Sequence, residues 1–271
     1  MADASETQYS PSIKKIIDDA DSLYRKSASI TRRNKIPSTK LIPIENQQEW
    51  FRIPDVICVF ADMQGSTQLS AVLHDNSTAR AYQLYTGTAV KIFDDFDSPY
   101  IDVRGDGVLA LFDSDQPHRA LAAAVTFKTF AKQVFSKNIK DKTGLDIGSH
   151  LGIDVRTVLV RKIGFKRRDS RSDRQNEVWA GKPVNMAAKL SGVSEDCELL
   201  VSDRYFKLIK DEHGLKSCGC PGGGEKVSLW EDIDLSEDDR FDFDKARVLK
   251  PNWCAMHGRE YCRKLILADN A

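Results

Sequence analysis

An apolar run that ends in a charge limits the folds open to this chain more than any other feature. Asp55-Val-Ile-Cys-Val-Phe-Ala61 is short, apolar and rich in β-branched residues, and it stops at Asp62. Such a run predicts a strand buried on both faces. A turn containing Gly65, Ser66 and Thr67 follows, and helical spacing then runs from about Gln68 to Phe96, with a break expected near Asp75-Asn-Ser77. Tyr100 to Val103 and Val108 to Phe112 read as two strands, joined tightly by Arg104-Gly105-Asp106-Gly107. An Ala-rich helix is expected from His118 to Phe135, with strand from Leu145 to Val160 and again from Glu177 to Trp179. Val184 to Leu190 opens another helix, and Leu199 to Val201 forms another strand. This β-α-β-β-α-β order predicts an α+β fold with helices packed on one sheet.

The flanks read differently. Residues 1–49 suggest a helical extension, with Ile13, Ile16, Ile17, Ala20, Leu23 and Tyr24 at helical spacing, followed by a basic, Pro-punctuated linker. Residues 213–271 form a C-terminal extension with a strand expected at Val227 to Trp230, an acidic stretch, and a Cys/His-containing tail. The central unit spans 50–212. Across the 271 residues, 41% are hydrophobic and 30% charged, the composition of a globular protein. The 40 basic residues balance 40 acidic ones, which excludes a general nucleic-acid coat. No stretch approaches the roughly eighteen apolar residues of a membrane span, and the first residues lack the layout of a secretory signal. The expectation is a cytoplasmic protein, neither inserted in a membrane nor bound to nucleic acid. In that compartment its six cysteines serve as thiols or metal ligands before disulfides.

Two carboxylates carry the chemistry. Asp62 ends a buried strand ahead of a Gly/Ser/Thr turn, whose N–H groups can bind anionic oxygens where a helix begins. Asp106 sits at the tip of a tight hairpin between apolar strands. Taken singly, each has a plainer explanation, as a helix cap or a turn residue. If strand and hairpin are neighbours in one sheet, the two converge, and oxygen donors so placed suit Mg2+ or Mn2+ together with substrate phosphates.

The ordered segments Phe60-Ala-Asp-Met-Gln-Gly-Ser-Thr67, Arg104-Gly-Asp-Gly-Val108 and Gly181-Lys-Pro-Val-Asn-Met-Ala-Ala-Lys-Leu190 resemble those of class III nucleotidyl cyclases, over roughly Pro54 to Ile209. The resemblance implies a ferredoxin-like catalytic domain over 50–212, with a central, mostly antiparallel sheet flanked by helices. It implies a homodimer with active sites at the interface. It further implies two divalent cations, Mn2+ or Mg2+, held by Asp62, Asp106 and the backbone carbonyl of Met63. Phe60, Gln64, Gly65, Ser66 and Thr67 would bind the nucleotide, the turn meeting its triphosphate.

Departures from the family pattern bear on the base. Asn185 matches the residue that fixes the ribose, but Lys189 stands where an Arg normally stabilises charge on the α-phosphate. Lys remains a point charge without the bidentate fork of Arg. The positions that usually select a purine hold Asp102 and Val178, and Val178 cannot hydrogen-bond a base edge through its side chain. Arg104 shares a strand face with Asp102. Asp102, Arg104 and Trp179 are candidates for reading the base, although a Trp in an apolar strand commonly just packs. The basic segment 161–174 and the residues leading to Asn185 resemble the pyrimidine cyclases of the bacterial Pycsar anti-phage system. That implies UTP or CTP as substrate, with UTP preferred, and cyclic UMP as a second messenger acting on a separate effector in anti-phage defence. The alternatives are a cytidylate cyclase, a purine cyclase, or an inactive nucleotide-sensing homologue.

Outside these motifs, Cys218-x-Cys220 with Cys254-x-x-His257 offers four zinc ligands. The Cys-x-Cys gap is tighter than usual, so packed free thiols are the preferred reading over structural zinc. The basic segment 161–174 reads equally as a solvated loop or as an arm toward triphosphate or a partner subunit.

Overall fold

The computed structural model describes residues 9–44, 46–164 and 175–270. In chain order its elements are α1 (Pro11–Tyr24), β1 (Ser29–Arg32), β2 (Glu49–Gln64), α2 (Ser66–Val72), α3 (Asp75–Asp95), β3 (Tyr100–Arg104), β4 (Gly107–Phe112), α4 (Pro117–Phe130), α5 (Ser136–Thr143), β5 (Gly148–Gly164), β6 (Gln175–Ala180), α6 (Lys182–Val193), β7 (Leu199–Ser202), α7 (Asp203–Phe206), α8 (Glu212–Leu215), β8 (Trp230–Asp234), β9 (Lys245–Leu249) and α9 (Gly258–Leu267). The expected α+β class holds. One sheet runs β3-β4-β2-β5-β7-β9-β8, with β1 on β2 and β6 on β5, and its pairs are antiparallel except β1/β2 and β5/β7. Among the described residues no helix is long and apolar enough to cross a membrane.

Strand alternation divides the core into two layers. Ile57, Val59, Ala61 and Met63 of β2 face one layer with Val108, Ala110 and Phe112 of β4 and Leu151, Ile153 and Val155 of β5. Helices α3 and α4 cover this face through Tyr85, Phe93, Leu121 and Phe127. The order β3-β4-β2-β5 under two helices is the ferredoxin-like arrangement. Cys58 of β2 points to the opposite layer, with Phe51, Ile53, Leu111, Val158, Val160 and Trp179. Helices therefore cover both faces, since α6 closes this second layer with Ala187. Gly152 of β5 makes that approach possible. A Cβ there would stand 2.0 Å from the Ala187 carbonyl oxygen and 2.7 Å from the Ser191 nitrogen.

Several expected elements differ in extent. The apolar run is the middle of a sixteen-residue strand, which a bulge between Ile53 and Val56 bends. The expected long helix is two, α2 and α3, broken at Leu73-His74 just before the expected site. Part of the basic linker is β1, paired in parallel with β2. The C-terminal strand begins at Trp230 and runs into the acidic stretch, where β9 joins it. Charge explains why acidic residues tolerate this: Arg247 reaches Asp232 at 2.9 Å, Lys250 reaches Glu231 at 3.0 Å, and Lys182 and Arg204 reach Asp242 at 2.9 and 3.0 Å. Helix α1 has no buried residue, and Ile13, Ile16 and Ile17 are exposed along it.

The C-terminal extension grips α4. Lys128, buried on α4, donates all three of its ammonium protons, to the carbonyls of Lys250 and Pro251 and to Asn252 Oδ1, at 2.7 to 2.9 Å. Asp269 accepts from the backbone N–H groups of His118 and Arg119 at the start of α4.

Gly152→Ala is expected to destabilise the chain by about 1–3 kcal/mol in urea unfolding, because α6 must lift from the sheet. A change below about 0.5 kcal/mol would show that α6 is not held by this contact.

Candidate active site

The sheet register places the two carboxylates side by side. Asp62, two residues before the end of β2, pairs with Gly107 at the start of β4, and Asp106 is the residue before Gly107. Only Gly105 and Asp106 lie between the paired residues Arg104 and Gly107, and Gly105 takes a φ of +64° that such a short loop favours. Phe60 fixes the hairpin from behind: a Cβ on Gly107 would lie 2.9 Å from its ring.

Both carboxylates are half-buried. Burial, and then the charge of Asp106, pushes the Asp62 carboxyl above its ordinary range, while the Met63 N–H donated to it pulls the other way. Among the described residues neither carboxylate has a basic ion-pair partner. Two facing carboxylates with no counter-charge among the described residues are a donor set for a hard divalent cation such as Mg2+ or Mn2+.

Beyond Asp62 the strand continues through Met63, paired with Ser149, and Gln64, paired with Gly148. Gly65 opens α2 at a φ of +76°, a conformation that calls for glycine, and a Cβ there would displace the end of the Ile147 side chain, 2.7 Å away. Ser66 and Thr67 form the first turn of α2, where N–H groups have no acceptor within the helix. Gln64 lies over Gly148 beside Asp196 and lines a groove with Lys132, Lys137 and Lys140.

Strand register also supplies residues that sequence reasoning missed. His150 of β5 pairs with Asp62 across the sheet. Its Nε2 is buried without a hydrogen-bond partner among the described residues, and burial lowers its pKa. No motif contains it, and only knowledge of the β2/β5 register could have found it. Tyr100 is the second. Its ring lies 4.8 Å from that of Trp179, and burial with the nearby Asp102 charge pushes its hydroxyl up to about 12. Trp179 takes the packing role, buried in the second core layer, while Val178 beside it is exposed. Arg104 Nε donates to Asp102 Oδ2 at 2.7 Å, so these two candidates form one ion pair next to the Tyr100–Trp179 rings.

Asn185 and Lys189 are not brought to the carboxylates. With Met186, Ala187 and Leu190 turned to the sheet, residues 185 and 189 face outward on α6, both exposed. Lys189 Nζ donates instead to the Arg240 carbonyl at 2.5 Å. Residues 165–174 of the basic segment lie outside the described residues. The cysteine and histidine candidates, by contrast, do meet: ligand atoms of Cys218, Cys220, Cys254 and His257 all lie within 4.8 Å of one another.

No family model matches the chain. It is 35% identical over 236 residues to a uridylate cyclase of Propioniciclava tarda, covering 84% of this chain and 74% of that one. It is 33% identical over 254 residues to a uridylate cyclase of Micromonospora echinofusca, covering 92% and 81%. Among solved structures, the adenylyl cyclase CyaB from P. aeruginosa superposes with a TM-score of 0.56 at 19% identity, over 76% of this chain and 98% of that one.

Removing one of the facing charges separates stability from cation binding. A carboxyl whose folded pKa is raised costs the fold stability once ionised, so this contribution returns as the pH falls through that pKa. Asp62→Asn is therefore expected to melt no lower than the wild-type chain in chelator. It should also lose the melting-temperature rise that Mn2+ gives the wild type. A variant that melts well below wild type in chelator, or that keeps the Mn2+ response, contradicts the assignment. In the wild type, the Mn2+ response should fade with acid at a pH above the ordinary Asp value of about 3.9, because protons compete for Asp62.

Proposed function

The chain belongs to the class III nucleotide cyclase family, and from that premise we propose that it is a uridylate cyclase, converting UTP to 3',5'-cyclic UMP and pyrophosphate. The observation that carries the reading is the convergence of Asp62 and Asp106 at one end of β2 and β4, without a counter-charge among the described residues. The ribose 3'-hydroxyl attacks the α-phosphorus of the same nucleotide and gives up its proton to water, a new P–O ester bond forms, and the P–O bond from the α-phosphorus to the α–β bridging oxygen breaks to release pyrophosphate. Because nucleophile and electrophile share one molecule, the protein's main task is orientation. Two divalent cations, Mn2+ or Mg2+, neutralise triphosphate charge and lower the pKa of the 3'-hydroxyl when bound.

The chain's own residues divide the remaining work. Asp62, Asp106 and the Met63 carbonyl hold the cations. The turn from Gln64 to Thr67 offers N–H groups to the triphosphate. The ion pair of Asp102 and Arg104 presents both an acceptor and a donor toward the base, which suits the mixed edge of a pyrimidine. Val178 leaves no polar side chain for a purine edge at its position. Asn185 and Lys189 project from α6 away from their own chain's carboxylates, which supports a homodimer in which each subunit supplies them to the other's site. The names of the two uridylate cyclase relatives favour UTP over CTP. The resemblance to Pycsar cyclases supports a cytoplasmic role in anti-phage defence, with cyclic UMP acting on a separate effector.

Incubation of the purified chain with Mn2+ and each of the four nucleoside triphosphates is expected to give cyclic UMP as the dominant product. Asp106→Ala should lower the rate by at least about 100-fold, the loss of about 2.7 kcal/mol or more of transition-state stabilisation. Cyclic CMP as main product would move the base assignment, and cyclic AMP alone would overturn the pyrimidine reading. A mixture of inactive Asp106→Ala and inactive Lys189→Ala chains should regain activity through heterodimers with one complete site. No recovery on mixing, with dimers present, would contradict the shared site.

A further inference from the structure

We propose that Cys218, Cys220, Cys254 and His257 hold a structural zinc ion that joins the two ends of the C-terminal extension, closing it into a strap over α4 of the catalytic domain. Three thiols and one imidazole come from two separated segments, the loop after α8 and the turn that opens α9. Their ligand atoms all lie within 4.8 Å of one another, and Cys220 Sγ stands 3.1 Å from His257 Nδ1. A tetrahedral zinc with ordinary bond lengths sets its ligand atoms about 3.5–3.8 Å apart, so small side-chain adjustments close the shell. All three cysteines are free although their sulfurs are within reach of one another.

The local backbone answers the objection that the Cys-x-Cys spacing is too tight. Residues i and i+2 of an extended strand share a face but stand nearly 7 Å apart. Gly219 breaks that geometry with a φ of +77°, and Gly224 N–H closes the loop by donating to the Gly219 carbonyl at 2.7 Å. A Cβ on Gly219 would lie 2.2 Å from the Gly224 carbonyl oxygen, so only glycine fits between the two cysteines. On the other segment, the Met256 and His257 N–H groups donate to the Cys254 sulfur, and Gly258 N–H donates to the Cys254 carbonyl at 2.7 Å. Such N–H donors orient a thiolate toward a cation.

Ligand chemistry selects the metal. Thiolate-rich sets with one imidazole favour zinc over the hard cations that suit Asp62 and Asp106. Four protein ligands leave no open position, which marks a structural ion and not a catalytic one. The position in the fold fits that role. Between the two ligand pairs the chain passes through β8 and β9, and just before Cys254 it docks on α4 through Lys128 and through Trp253, whose indole N–H donates to Thr126. Just after His257, α9 sends Leu265 into the main core. Zinc would close this strap over α4.

Elemental analysis of the full, tag-free chain purified from zinc-supplemented cells is expected to give one zinc per chain. The metal-free wild type should take up Co2+ with thiolate-to-cobalt charge transfer and tetrahedral ligand-field bands, a readout that needs no variant to fold. Cys254→Ser and His257→Ala should lose the metal and make the segment after residue 212 more sensitive to protease. His257→Cys, which restores a fourth ligand, should keep one metal and shift the cobalt spectrum toward four thiolates. The proposal is overturned by a purified chain with far less than one zinc and no tetrahedral cobalt spectrum. A disulfide among the three cysteines, or full zinc retention in both ligand-loss variants, would overturn it equally.

Discussion

Two like charges held side by side, with no cation among the described residues to relieve them, govern this structure. Asp62 is carried there by a strand buried on both faces, and Asp106 by a two-residue turn that Gly105 favours and Phe60 buttresses. Neither residue can swing far, because each sits against a paired strand. Burial first, and the repulsion after it, raise the pKa of Asp62. It is a local cost to the fold, and a bound divalent cation removes it. A site built this way favours a ligand that arrives with its own cation, as a nucleoside triphosphate does.

The second layer of the core decides what that site lacks. Gly152 lets α6 lie directly on β5, and the same contact turns Asn185 and Lys189 outward. A chain by itself therefore holds the carboxylates and the turn, but not the groups proposed to meet ribose and α-phosphate. Lys189 rests on the Arg240 carbonyl, in the acidic β8–β9 connection where Lys182 and Arg204 pair with Asp242 and Arg240 pairs with Asp238. Engagement in a partner's site requires it to leave that acceptor. Within the zero net charge of the chain, four carboxylates of the acidic stretch, Glu231, Asp232, Asp238 and Asp242, are paired with basic residues of the same chain.

Most of what local chemistry dictates was legible in the sequence. The buried strand ending at Asp62, the Arg104–Gly107 hairpin, and the helix bearing Asn185 all follow from periodicity, turn residues and apolar runs. What needed the structure depends on register or on long-range contact. His150 faces Asp62 only because β5 pairs with β2 in one particular alignment. Tyr100 matters because a strand some eighty residues later brings Trp179 against it. Strand β9 was hidden by an acidic neighbourhood that ion pairs make tolerable. The cysteine cluster looked too tightly spaced until the backbone of Gly219 was seen.

Anomalous scattering from Mn2+ in crystals of the chain grown with a UTP analogue lacking the 3'-hydroxyl tests the central claim most directly. The account predicts manganese peaks within bonding distance of both Asp62 and Asp106, with the triphosphate along the Gln64–Thr67 turn. Ordered nucleotide with manganese elsewhere, and neither carboxylate in contact with it, would contradict the account.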